Sequence, residues 1–454
     1  QPRSFKVKAT KVYGLKNTLD YPFFADKPYN KAKSLLLRNA GNDFNYLYMR
    51  DAIVQRIMAD HTDIDFQAYR PAIIFINGIY KGILNIRERA NDNNIYTNYD
   101  KLEDIDMIEN WYELKTGTWD NFNKFKEFYT EQGHTMAEFE EWMDCKEFTN
   151  LMIMNLFYVN LDFPGNNIVM WRPIAENGRW RWIAKDTDFG LGLYGRSSSY
   201  KTLDWIYNNN YDRDNAWANQ PDHTRLFRRL MADKDFSNMF FDLCCVYMGD
   251  FLNYDRIWPE IWSPMYERIK FEYPNHRKMI RDWGPNYNDE MKNAQNWLKQ
   301  RVDFFYKHVA EYYKLGTPTK LQVNLDLTEA ELADIDVEMN GVKLTRNTMN
   351  GKFFQNREVQ LKGKHVGAWK IVTIAKTGER TEKTVEGSSC TFTMPECTSV
   401  SVNVIEFNSI EEVSVSEASA PVEYYDLSGI RHSKLQKGQN IIRMKDGSAK
   451  KVIF

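Results

Sequence analysis

Apolar and polar positions alternate over the first hundred residues in a way that predicts strands with one helix between them. Ser4-Phe5-Lys6-Val7-Lys8-Ala9 alternates residue by residue, as a strand with one buried face does, and residues 33–38 give a second, more apolar strand. Over residues 46–59, Leu47, Ala52, Ile53, Ile57 and Met58 fall near helical spacing, and Arg50 and Asp51 sit within that helix. Arg70-Pro71 leads into the apolar run 72–76, and Asn77-Gly78 separates it from a second run at 79–86. Asn-Gly between apolar runs is the strongest short hairpin signal. The expectation for this part is a sheet with one helix packed on it.

Residues 118–160 read as mainly helical, ending in the very apolar stretch 148–159, which predicts a buried helix. Strands at 167–171 and 179–184 flank an Asn177-Gly178 turn. A polar, Asn-rich loop at 207–222 precedes helical periodicity from 224 to 313, and Leu315-Gly316-Thr317-Pro318-Thr319 stops the helix and opens a linker. Beyond it the texture changes. Short alternating runs at 321–327, 369–374 and 399–405, with Asn340-Gly341 and Asn350-Gly351 turns, predict a small Ig-like β-sandwich. A Ser/Glu/Ala/Pro-rich stretch at 409–421 precedes short strands at 422–454. The fold class expected is α+β, with units at 1–315, 317–406 and 410–454.

Composition narrows this further. A chain of 454 residues exceeds what one core usually supports, so several units are expected. The formal net charge of -2 predicts no general pull toward nucleic acid or an anionic membrane. Aromatic residues reach 15%, with 13 Trp; they suit a glycan or nucleobase surface, but an aromatic-rich core explains them better. The five cysteines show no CxxC spacing, which argues against zinc. Cys390 and Cys397 either pair across strands or stay free. No segment approaches the roughly 20 apolar residues of a membrane helix. The chain opens at Gln1 rather than Met, so removal of a signal peptide or lipoprotein leader is the expectation, and the lack of one in this sequence does not argue for the cytoplasm.

Candidate chemistry lies in Asn160-Leu-Asp162-Phe-Pro-Gly-Asn-Asn167 and, after a hairpin, Lys185-Asp186-Thr187-Asp188-Phe189-Gly190. Phosphoryl transfer needs a carboxylate to orient the acceptor hydroxyl and oxygen ligands to hold a divalent cation against the phosphates. An Asp and an Asn five positions apart, then strand, turn, strand and Asp, is the spacing of a kinase catalytic loop and metal-binding loop. No HRD precedes Asp162, and neither a VAIK motif nor an amino-terminal glycine loop is present, which excludes an ordinary eukaryotic-type kinase. Taken singly, these Asp and Asn residues are also common turn formers. Gly190-Leu-Gly192-Leu-Tyr-Gly195 satisfies GxGxxG, but Asp186 and Asp188 intervene after the strand and no amphipathic helix follows, so a dinucleotide fold is not expected.

Ser34-Leu-Leu-Leu-Arg38-Asn39, Met49-Arg50-Asp51-Ala52, Ile76-Asn77-Gly78-Ile79-Tyr80-Lys81-Gly82, Arg87-Glu88-Arg89, the 160–167 loop and the 180–190 stretch follow one another as in the CotH kinase family, which residues 1–315 resemble. That resemblance implies an atypical kinase-like core with a smaller lobe over 1–100 and a larger one over 101–315. It also implies a secreted, periplasmic or cell-surface phosphotransferase that uses ATP with Mg2+ or Mn2+ to phosphorylate Ser-containing proteins. By position it makes Asp162 the catalytic carboxylate, Asn167 and Asp186 metal ligands, and Asp188 a second metal candidate. Arg38 stands where a kinase places its strand lysine and suits bidentate phosphate binding; Lys33 and Arg50 compete for that role, and a surface ion pair explains any of them as well. Trp180 either stacks on adenine or packs in the core. Glu88 either organises the site through ion pairs or offsets its flanking arginines.

Two other readings stay open at this stage. One is a non-catalytic surface scaffold or adhesion protein with a kinase-like fold that meets protein or glycan. The other is phosphotransfer to a small molecule or glycan. No sequence feature specifically supports a glycan, and no nucleic-acid partner is expected. The terminal strands resemble modules that end many secreted bacterial proteins, which leaves the sandwich as a spacer or docking unit.

Overall fold

Phe5–Lys8 and Ser34–Arg38 pair antiparallel and begin a four-stranded sheet that continues through Ile79–Arg87 to Tyr69–Ile76 at the far edge. The structure is a computed structural model describing residues 2–27, 29–281, 283–327 and 336–407, together with strands at 421–426, 431–432, 439–444 and 449–453. The Asn77-Gly78 turn takes φ 52° and 74°, the left-handed pair that lets a two-residue hairpin match strand twist. Helix Arg50–His61 starts four residues later than the apolar pattern suggests. Tyr48 sits at φ 71°, and the buried Asp43 carboxylate accepts the backbone N–H groups of Leu47 (3.0 Å) and Arg50 (2.9 Å), so the chain turns sharply before the helix. Among these side chains Leu47, Ile53, Ile57 and Met58 are fully buried.

The second sheet runs Arg181–Ala184, Ile168–Pro173, Ile105–Glu109, Glu113–Thr116, all antiparallel. Its last two strands were not visible in the sequence pattern, because Ile105–Glu109 is buried on both faces and includes two acids, so no alternation marks it. Asp106 is accommodated there by accepting Thr118 N–H at 2.8 Å and Asn121 Nδ2 at 2.7 Å. The apolar stretch before the candidate loop forms helix Cys145–Tyr158, capped by Asp144 on Glu147 N–H (2.9 Å) and ended by Val159 at φ 58°. Helices Lys234–Asp250 and Tyr287–Tyr313 pack against it.

After Lys314, in the left-handed conformation, the chain enters two further sheets. One contains five strands, Thr348–Phe354, Pro318–Asn324, Ser399–Phe407, Val366–Ile374 and Arg380–Glu386; the other contains Val342–Lys343, Val337–Met339, Glu358–Gly363 and Ser389–Thr393. Val323, Trp369 and Val402 from the first and Met339, Leu361 and Cys390 from the second belong to one buried apolar cluster. All five cysteines are buried and unbridged, including Cys390 and Cys397. The Ser/Glu-rich stretch lies largely outside the described residues; the terminal strands Pro421–Asp426, Arg431–His432, Gln439–Met444 and Ala449–Ile453 form a four-stranded sheet.

The two sheets of residues 318–407 dock on the helical part through specific contacts. Thr345 donates its N–H and hydroxyl to the buried Asp250 carboxylate at 2.9 and 2.8 Å, and Arg357 reaches Asp242 at 2.6 Å. Tyr306 bridges the two parts, accepting Lys352 N–H and donating to the Cys245 carbonyl, both at 3.0 Å. Gly249 and Gly351 meet backbone to backbone: a Cβ at Gly351 would stand 2.7 Å from the Gly249 Cα. Gly351→Val is therefore expected to lower stability by about 1–3 kcal/mol and to speed limited proteolysis in the 314–317 connection; unchanged melting and cleavage would show that this contact does not hold the parts together.

Candidate functional site

The site is built where two loops leave the second sheet and meet the end of one strand of the first. Strand Ile168–Pro173 is entered from the 160–167 loop, and strand Arg181–Ala184 leads out into Lys185-Asp186-Thr187-Asp188. Antiparallel pairing of Ala184 with Ile168 sets the two loops side by side. Asn167 and Asp186 both adopt left-handed backbone, φ 57° and 49°. Asn and Asp tolerate that region better than most residues, and its occupancy at both positions makes the chain turn abruptly at the strand ends.

Asp162 accepts hydrogen bonds from Asn167 Nδ2 and from Asn166 Nδ2, the latter at 3.2 Å, and Asn167 Nδ2 also reaches the Asp186 carbonyl at 3.4 Å. Burial pushes the Asp162 carboxyl up to about 6, helped by the charge of Asp186 and opposed by these amide contacts and by Lys185. Asp186 and Asp188 both contact one guanidinium nitrogen, Nη2 of Arg38, with Asp188 at 3.1 Å. Burial works against the Arg38 charge, but Asp186, Asp51 and Asp188 outweigh it and hold the group above its ordinary value. Asp188 is 1% exposed; burial first, then the Asp186 charge, raises its carboxyl well above the usual range, against the pull of Arg38.

Several contributors were not readable from motifs. Asn42 donates its N–H to Asp188 at 2.8 Å. The preceding Gly41, at φ 61°, lies so close over the site that a Cβ would fall 2.1 Å from the Asp188 carboxylate and 2.5 Å from Arg38 Nη2, so a larger residue there would strain the backbone and displace both groups. Asp51, at the start of helix Arg50–His61, accepts Thr187 N–H at 2.8 Å and its hydroxyl at 3.1 Å, pairs with Arg87 Nη1 at 2.7 Å and lies 3.9 Å from Arg38 Nε. Burial raises the Asp51 carboxyl, but Arg87 and Arg38 outweigh it and leave the group below its ordinary value. One buried carboxylate thus ties the helix, both strand arginines and the Asp186-Thr187-Asp188 loop together. Thr187 lies 136 residues from Asp51, and the sequence pattern placed Asp51 within a helix without marking these partners.

The 160–167 loop is fixed from below. Trp111 Nε1 donates to the Pro164 carbonyl at 2.8 Å, and Asn110 N–H to the Ile168 carbonyl at 2.9 Å. Arg301, fully buried, donates to the carbonyls of Leu156, Phe157, Ser198 and Tyr200 at 2.6–2.9 Å, joining the end of helix Cys145–Tyr158 to the chain that follows Gly190. Burial lowers Arg301 to about 9.

Arg38, Asp162, Asn167, Asp186 and Asp188 therefore come together, whereas four other sequence candidates do not. Trp180 is 0% exposed, packed against Phe122 and Phe125, and leaves no face for an adenine ring. Lys33 points to Glu103 (3.1 Å) across the Tyr96 ring. Arg50 is spent on Asp43, Glu290 and the Leu191 carbonyl. Glu88 accepts from Tyr29 (2.6 Å), Ala68 N–H (2.9 Å) and Asn98 (2.9 Å) and pairs with Lys27 (3.1 Å), which anchors the segment between strands Phe5–Lys8 and Ser34–Arg38 rather than the site.

Carboxylate and amide oxygens, the ligand types that hard cations take, meet in this set. Two carboxylates converge closely enough to share one cationic nitrogen, and Asn167 stands beside them. Among the described residues no group of three or more Asp, Glu, His or Cys side chains that could hold a metal ion is present, so the oxygen-bearing groups that meet here are the two carboxylates and the Asn167 amide. No described helix is long and apolar enough to cross a membrane. The family model described as CotH kinase protein matches residues 2–305. No curated protein matches the chain.

Proposed function

Since the chain belongs to the CotH kinase family, we propose that it transfers the terminal phosphoryl group of ATP to serine hydroxyls of exported or cell-surface proteins, in the presence of Mg2+ or Mn2+. The observation that carries this reading is the convergence of Asp162, Asn167, Asp186 and Asp188 with Arg38 at the ends of adjacent strands. In this reading Asp162 accepts the proton of the attacking hydroxyl, and Asn166 and Asn167 hold its carboxylate in place. Asn167, Asp186 and Asp188 hold the divalent cation, which when bound neutralises phosphate charge. Arg38, already poised at the carboxylates, supplies the fixed cation for the nucleotide phosphates. Asp51 and Arg87 position it. The first two sheets and their helices serve as the two lobes of the core, the sheets of 318–407 as an Ig-like docking unit, and the terminal strands as a module for export or attachment.

Incubating the protein with γ-labelled ATP, either metal and serine-rich acceptor proteins tests the reading: label on serine supports it, and absence of label on every acceptor and on the protein itself, with both metals, counts against it. The elevated Asp162 adds a pH signature. Its carboxylate must be ionised to accept a proton, so kcat is expected to hold above a pH of about 6 and to fall roughly tenfold per unit below it. A rate profile flat down to pH 4.5 would remove Asp162 from the role of base.

A further inference from the structure

Charge along the chain is balanced overall, but its first nineteen residues are not. They carry Arg3, Lys6, Lys8, Lys11 and Lys16 and no acidic residue, in a chain whose formal net charge is -2. Lys6 and Lys8 lie on the exposed face of Phe5–Lys8, an edge strand of the first sheet. The chain then leaves the sheet in a tight turn, closed by Tyr13 N–H on the Thr10 carbonyl (3.2 Å) and by Lys11 N–H on Asn17 Oδ1 (3.0 Å). At its tip stand Val12, Tyr13 and Leu15, 78%, 92% and 97% exposed. Three large apolar side chains within four residues, almost wholly in water, are unusual on a loop whose backbone is hydrogen-bonded into shape. Single exposed apolar residues need no explanation; a concentrated cluster flanked by an excess of positive charge, with Lys8, Lys11 and Lys16 against Asp20, does.

We propose that this basic, apolar-tipped loop seats the protein on an anionic lipid surface, with Val12, Tyr13 and Leu15 entering the headgroup layer and the flanking lysines lying among the headgroup charges. The arrangement matches what such an interface rewards. Apolar burial and attraction to anionic lipid add together, tyrosine favours the boundary between headgroup and acyl chain, and lysine stems span apolar surface while their ammonium groups stay wet. The placement of the charges separates lipid from other anionic partners. Nucleic acid or an acidic protein would be met by cations at the tip, whereas here Val12, Tyr13 and Leu15 project and the cations flank them. Lys16 is held by Asp20 of the same loop, which fixes it at the base of the tip. The loop belongs to the edge opposite Tyr69–Ile76 in the sheet order, and none of Val12, Tyr13 and Leu15 takes part in the candidate site.

Sedimentation of the full chain with phosphatidylcholine vesicles, with and without a third of phosphatidylglycerol, tests this. Binding is expected only with the anionic lipid, to weaken as salt is raised, and to drop at least about tenfold in V12S/Y13S/L15S and comparably in K8Q/K11Q/K16Q. Circular dichroism of both variants should match the parent, because neither set of side chains is buried. Binding of V12S/Y13S/L15S equal to the parent, no sedimentation with anionic vesicles, or retention on polyglutamate or duplex DNA as tight as on vesicles would each overturn the proposal.

Discussion

Asp162→Ala is expected to slow phosphoryl transfer by about 10²–10⁴-fold while leaving the KM for ATP nearly unchanged. In the proposed mechanism this carboxylate acts on the acceptor hydroxyl; within the site it bonds Asn166 and Asn167, whereas Asp186 and Asp188 are the carboxylates that contact Arg38 directly, so its removal should affect the chemical step rather than nucleotide binding. Asp162→Asn keeps shape and hydrogen-bonding capacity but cannot take a proton, and it should be as slow as alanine. If the asparagine variant retained most of the activity, Asp162 would act by orientation alone. A change mainly in KM would move it to the nucleotide side of the site.

The second large effect is expected at Asp51. Its two oxygens satisfy Thr187, Gln55 and Arg87 in a buried setting, and Arg87 has no other acidic partner within ion-pair distance among the described residues. Asp51→Ala leaves a buried guanidinium without its counter-charge, a change that typically costs about 3–5 kcal/mol. It also removes what holds the Thr187 backbone between Asp186 and Asp188. Denaturant unfolding should show that loss, and phosphotransfer should fall further than the folded fraction explains. Asp51→Asn, which preserves the Thr187 contact, is expected to be less damaging to activity than alanine. Equal stability of Asp51→Ala and the parent would mean that the network of Asp51, Arg87 and Arg38 does not organise the site.

How much of this could be read from the chain depends on the range of the interaction. The loop residues Asp162 and Asn167 and the pair Asp186 and Asp188 stand out because their chemistry is set by spacing within about 30 residues and by strand ends that a hairpin aligns. The Asn77-Gly78 hairpin and helix Cys145–Tyr158 were legible for the same local reason. Arg38 was found by its order relative to the helix bearing Asp51, although nothing local marked it as the group both loop aspartates would share. Lys33, Arg50 and Glu88 looked equally suitable because sequence shows a charge but not its partner, and each is committed elsewhere. Trp180 illustrates the converse. A tryptophan on the run leading to Asp186 suits a base-stacking role, but its rings of contact, Phe122 and Phe125, come from a helix whose packing the sequence does not specify. Strand Ile105–Glu109 was missed because burial on both faces erases alternation. Net charge likewise concealed the basic amino-terminal loop, since acids elsewhere cancel it.

The central claim is that the convergent aspartates form the metal-dependent nucleotide site of a phosphotransferase. Titration calorimetry with ATP, in Mg2+ or Mn2+ and then in chelator, on the parent, Asp186→Ala and Asp162→Ala tests it most directly. The account predicts metal-dependent binding that is lost in Asp186→Ala and kept in Asp162→Ala. Absence of binding by the parent with either metal, or binding undiminished in Asp186→Ala, would contradict it.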